Sequence, residues 1–158
     1  MAPVAVAPLK YLQAALGNFP LTWKSSNNYQ AEESETWIGE WLSKHPHRRD
    51  EMVIATKFAE DWKTYSSPDL LQSNYGGNSA KSLHVSVAAS LQKLQTTYID
   101  LLYVHFWDYT ASVEEVMTSL NILVSQGKVL YLGVSNTPAW IVVKCNEFAR
   151  SRDRKSVV

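Results

Sequence analysis

Three short apolar runs in this chain each end in a polar group able to do chemistry. Lys57 follows Val53-Ile54-Ala55-Thr56, His105 follows Leu101-Leu102-Tyr103-Val104, and Ser135 with Asn136 follows Leu132-Gly133-Val134. An ammonium, an imidazole and a hydroxyl–amide pair can stabilise an anion, share a proton and orient a polar ligand. A lone lysine after a strand is usually a solvated loop residue, and a lone histidine there is as often a satisfied structural group. Three successive strands ending in this way weigh against both explanations, because parallel α/β folds build their active sites at the C-terminal ends of the strands.

The elements around these residues fit such a fold. Met52-Val53-Ile54-Ala55-Thr56, Leu101-Leu102-Tyr103-Val104 and the run from Val129 to Val134 are short and lack alternation. That is the pattern of strands covered on both faces. Between them lie amphipathic segments. Glu32 to Leu42 reads as a helix with Trp37, Ile38, Trp41 and Leu42 on one face and acidic residues in its first turn. Ser79 to Leu94 carries the stripe Leu83, Val87, Leu91 and Leu94. Ser112 opens a further helix as N-cap, with Glu115 completing a capping box and Gly127 as its stop. Pro138 suits the first turn of a last helix, to about Arg150. Residues 59–78 form a long polar connection with turn signals at Ser66-Ser67-Pro68 and Gly76-Gly77-Asn78. Residues 1–28 show no clean periodicity; Pro3, Pro8 and Pro20 interrupt them, and Asn18 to Ser26 reads as irregular.

The order helix, strand, helix, strand, helix, strand, helix means a parallel sheet of α/β type. A Gly-x-Gly-x-x-Gly follows none of the strands, so a (β/α) barrel is favoured over a doubly wound dinucleotide fold. A complete barrel takes roughly 250 residues. The chain has 158, so the expectation is a partial TIM-type barrel with about three to four of its eight units.

Composition narrows the partners. The chain is 46% apolar and 19% charged, with zero formal net charge. This is a globular composition with no basic excess for nucleic acid. No apolar run approaches the roughly 18 residues that would cross a membrane. The small apolar start, Met1 to Ala7, has no charge before Lys10 and does not read as a signal peptide. The single cysteine, Cys145, cannot form an internal disulfide and reads as a small buried helix residue. The expectation is a cytoplasmic protein.

Ile54-Ala55-Thr56-Lys57-Phe58, Asp100 to His105 and Gly133-Val134-Ser135-Asn136 resemble the aldo-keto reductase superfamily. The closer likeness is to its fungal aryl-alcohol dehydrogenase and norsolorinic acid reductase-like branch. It is carried by Asn28-Tyr29-Gln30, Glu32-Glu33-Ser34-Glu35, Ile38-Gly39-Glu40-Trp41 and Gly127 to Gly133. The resemblance runs from about Asn27 to Arg150. It implies a (β/α)₈ barrel binding NADP and interconverting aldehydes or ketones with alcohols. Tyr29 then resembles the general acid, Lys57 the lysine that stabilises its phenolate, and His105 the histidine that polarises the carbonyl. Ser135 and Asn136 resemble the pair that holds the nicotinamide carboxamide. Trp107, two residues past His105, is a candidate wall for an aromatic substrate pocket, with plain packing as the competing reading.

Two departures qualify the likeness. The family places an aspartate five residues before the tyrosine, where this chain has Lys24, and no carboxylate stands from Gly17 to Gln30. A lysine there would set cation against cation at Lys57. After Arg150 the chain continues only as a divergent tail, 151–158, without the later strands that carry cofactor-phosphate ligands in the family. The expected organisation is an irregular segment at 1–26, a partial barrel at 27–150 and that tail. The partner is a small carbonyl or alcohol substrate, with self-association through exposed sheet edges as a further expectation. An oxidoreductase and a truncated, inactive fragment or pseudoenzyme are the competing functions, and the isolated chain is expected to show little activity.

Overall fold

The computed structural model describes residues 22–152 and Val157. Four strands, β1 (Thr22–Lys24), β2 (Val53–Phe58), β3 (Ile99–Val104) and β4 (Val129–Val134), alternate with helices α1 (Glu33–Lys44), α2 (Ala80–Lys93), α3 (Val113–Ser125) and α4 (Ala139–Arg150). The strands form one sheet in the order β1-β2-β3-β4, and every pairing is parallel. The order never reverses. It therefore has no switch point of the doubly wound kind and matches the wall of a barrel. Neighbouring helices pack in sequence, α1 on α2, α2 on α3 and α3 on α4.

The core lies between the sheet and these helices. Ile54, Phe58, Leu102, Val104 and Leu132 point from the strands into it and meet Ile38, Trp41, Leu83, Val87 and Leu120. Register puts the alternate residues, among them Ala55, Lys57, Leu101, Tyr103 and Tyr131, on the opposite face. On that face Val53 and Tyr131 are 43% and 58% exposed, as expected for a barrel wall whose inner side meets water. Tyr103 lies over Gly133 so closely that a Cβ there would sit 2.5 Å from its ring.

The N-terminal reading needs correction. Thr22–Lys24, expected to be irregular, is a strand in register with Val53, Ile54 and Ala55. Trp23 is buried and packs edge-on against Trp41 with ring centroids 5.0 Å apart. Three residues give no periodicity to read, and only the neighbouring strand and helix reveal their role. The rest of the segment assigned as irregular, residues 1–21, lies outside the described residues, as does most of the tail at 151–158.

The capping prediction is half right. Ser112 Oγ accepts from the Glu115 N–H at 3.1 Å. Glu115 does not turn back to Ser112: its Oε1 accepts from the Ala80 N–H at 3.1 Å, adding negative charge at the start of α2. Ser79 caps α2 through the Ser82 N–H. Gly127 takes the left-handed φ of 68° that ends α3. Pro138 sits just before the first residue of α4.

Candidate active site

The site begins where β1 ends. Ser25, Ser26 and Asn27 are buried. The Ser25 N–H donates to Ala55 O at 2.8 Å and the Asn27 N–H to Lys57 O at 3.1 Å, so the ladder to β2 continues past the strand. After Tyr29 the chain passes through three left-handed residues in a row, Gln30, Ala31 and Glu32, with φ of 54°, 52° and 78°. Each such non-glycine residue costs about 1–2 kcal/mol, so the surrounding contacts must hold this turn. The turn satisfies the start of α1: the Ser34 N–H donates to Tyr29 O at 3.3 Å and the Glu33 N–H to Gln30 O at 3.1 Å.

The structure brings Tyr29, Lys57 and His105 together. Lys57 Nζ donates to Tyr29 Oη at 2.8 Å and to Ser25 O at 2.9 Å. It stands 4.2 Å from the centroid of the Tyr29 ring. The His105 ring meets Tyr29 edge-on, with centroids 5.7 Å apart. Its Nδ1 is 3.2 Å from Ser26 Oγ. Burial, and then the charge of Lys57, pushes His105 down to about 4, so the imidazole is neutral near pH 7. When the Ser26 hydroxyl donates to Nδ1, the ring proton is on Nε2 and available to a ligand.

Lys24 is exposed and level with Ala55, on the same sheet face as Lys57. Among the described residues no carboxylate pairs with Lys57. The main-chain oxygen of Ser25 takes the place of an anionic partner.

Ser135 and Asn136 adjoin this cluster. The Ser135 N–H donates to Val104 O at 2.9 Å, and the Asn136 amide donates to His105 O at 3.1 Å and to Ser135 Oγ at 3.2 Å. Asn136 has a left-handed φ of 44°. A hydroxyl and an exposed amide at this rim fit a planar carboxamide, which needs donors and acceptors together.

Trp107 lies one step further out. It is 7% exposed, and its N–H donates to Asn136 O at 3.4 Å. It lines a cleft of about 640 Å³ between the β3–α3 loop and α4, with Tyr109, Trp140 and Phe148. Tyr29, Lys57 and His105 do not line that cleft. Cys145 is buried in α4, where burial and then Glu114 push its thiol up to about 11. This matches a packing role.

Sequence reading missed Ser26, the hydrogen-bond partner of His105, and a charged cluster behind Tyr29. Ser26 lay in the stretch read as irregular, and nothing but its place just before Asn27-Asn28-Tyr29 could have flagged it. The cluster joins Glu32, Glu35, Lys63 and Lys93, which share no spacing in the sequence.

Comparison with known proteins identifies the family. The sequence model described as the aldo/keto reductase family matches residues 6–157. The chain is 53% identical over 154 residues to norsolorinic acid reductase B of Dothistroma septosporum, covering 98% of this chain and 38% of that protein. It is 62% identical over 126 residues to norsolorinic acid reductase of Aspergillus flavus, covering 80% and 32%. A Saccharomyces cerevisiae protein that carries the name aryl-alcohol dehydrogenase AAD14 is 58% identical over 130 residues, covering 82% and 34%. The chain thus spans about 32–38% of the length of these relatives.

Proposed function

From the premise that the chain belongs to the aldo/keto reductase family, we propose that it carries the catalytic end of an NADP-dependent oxidoreductase interconverting aryl aldehydes or ketones and alcohols. One observation carries the reading: Tyr29 Oη lies 2.8 Å from Lys57 Nζ with the neutral His105 ring alongside. The family generally uses NAD(P)H, and the relatives named for norsolorinic acid and aryl alcohols support an aryl carbonyl.

The residues divide the work as follows. A bound reduced nicotinamide would supply the hydride. Tyr29 Oη holds the proton that the carbonyl oxygen receives. The Lys57 ammonium, which donates to Tyr29 Oη at 2.8 Å, stands where it would hold negative charge on that oxygen as the proton leaves. His105 Nε2–H polarises the carbonyl by hydrogen bonding its oxygen. Ser135 and Asn136 would hold the carboxamide of the cofactor.

A second reading, a site that is folded but catalytically weak, is favoured by the lack of a carboxylate beside Lys57 among the described residues. Both readings meet in one experiment: NADPH titration by tryptophan quenching, followed by reduction of an aryl aldehyde. Saturable binding, with turnover lost in Tyr29→Phe and raised on the order of tenfold in Lys24→Asp, supports the oxidoreductase. Binding without turnover in both the natural chain and Lys24→Asp favours the inactive site.

A further inference from the structure

We propose that Lys93, which is outside the reacting cluster, is a positioning residue that locks Tyr29 in place. This inference rests on reading Tyr29 as the proton donor. The ammonium of Lys93, at the last residue of α2, makes three polar contacts and lies 4.8 Å from the centroid of the Trp62 ring. It donates to Asn27 O at 3.2 Å, pairs with Glu32 Oε2 at 3.1 Å, and pairs with Glu35 Oε2 at 2.8 Å. Asn27 stands two residues before Tyr29 and Glu32 three after it, so one side chain pins both ends of the loop that carries the phenol. Within that loop lie the three left-handed residues, a conformation that relaxes unless external contacts hold it.

The surroundings reinforce the lock. Glu32 also takes Lys63 Nζ at 2.9 Å and the Ser66 hydroxyl. Burial alone would raise the Glu32 carboxyl, but Ser66, Lys63 and Lys93 outweigh it and hold it below the ordinary value. Glu35 is fully buried, and its Oε1 accepts from Thr56 Oγ1 at 2.6 Å. Thr56 directly precedes Lys57, so the Lys93–Glu35 pair ties the Tyr29 loop to the strand bearing Lys57. Gly39 makes this possible: a Cβ there would stand 2.0 Å from Lys93 O. Only a glycine lets α1 approach the end of α2 so closely. A lysine that merely glued α2 to α1 would need no contact with the Tyr29 loop; two of the three polar contacts of Lys93 are to that loop.

The test uses Lys93→Met, Lys93→Arg and Glu32→Gln in the full chain, with two readouts. In steady-state reduction of an aryl aldehyde, Lys93→Met lowers kcat about tenfold or more with little change in the KM for NADPH, and Lys93→Arg restores most of the rate. Independently of turnover, NMR of ring-labelled tyrosine, with Tyr29 assigned through Tyr29→Phe, shows the Tyr29 signal shifted and broadened in Lys93→Met and Glu32→Gln, restored in Lys93→Arg, and the Tyr131 signal unmoved. If the natural chain does not turn over, the reading of function fails and the Tyr29 signal alone decides the role of Lys93. An unchanged Tyr29 signal in folded Lys93→Met, or in Glu32→Gln should that variant alone fold, overturns the proposal.

Discussion

At the scale of single residues, His105 connects chemistry with stability. Its folded-state value of about 4 lies below the ordinary 6.5 because burial, and then Lys57, disfavour the charged ring. Between those two values the unfolded chain binds a proton that the folded chain refuses. Stability therefore falls as pH drops from about 6.5 to about 4 and stops falling on this account below that. Thermal melts across this range should show a gap between the natural chain and His105→Gln that changes with pH; a gap constant across it would refute the assignment. The sequence showed this residue because it stands at the end of a readable strand. It did not show Ser26 or Lys93, because their roles come from neighbours far away in the chain: Ser26 and His105 are 79 residues apart, Asn27 and Lys93 66.

At the scale of elements, β2, β3, β4 and the four helices were legible, the strands as continuous apolar runs and the helices as apolar stripes at helical spacing. β1 was not. It has three residues, one of them buried, and what makes it a strand is the open edge of β2 beside it. The long connection at 59–78 read as polar, yet Trp62 within it is buried and sits below the Lys63 and Lys93 ammonium groups at 4.5 and 4.8 Å from its ring centroid. The α1–α2 contact gives the sharpest prediction at this scale. Gly39→Ala forces a methyl into the Lys93 main chain, and unfolding in urea should show a loss of about 3 kcal/mol. A loss below about 0.5 kcal/mol, the range of ordinary surface changes, would mean that the two helices do not approach as described.

For the whole molecule, the exposed inner face and the sheet edges dominate. The outer edge of β1 has no strand partner among the described residues, while β4 is touched on its far side by Val157 through a bridge to Leu132. Unpaired edges recruit further strands, and exposed Val53 and Tyr131 add apolar surface. Sedimentation velocity over a range of concentrations should reveal self-association that Tyr131→Lys weakens; a monomer at every concentration would show that edge and face are protected. Fold class and the parallel pairing of the strands were legible here from the order of elements. The exposure of the inner sheet face followed from the partial barrel, although the runs themselves, lacking alternation, read as strands covered on both faces.

Because every strand pairs with the strands next to it in sequence and every helix packs on its successor, the chain is assembled like a stack of coupled repeats. This stacking closes a loop of 30–46 residues at each parallel pairing, contacts that form slowly. It also makes the ends the first parts to open. Tyr29 stands in the first unit among the described residues and His105 near the middle, so opening at the β1 side would part the proton donor from the histidine while most of the described sheet stayed folded. Function in this architecture would be lost before structure.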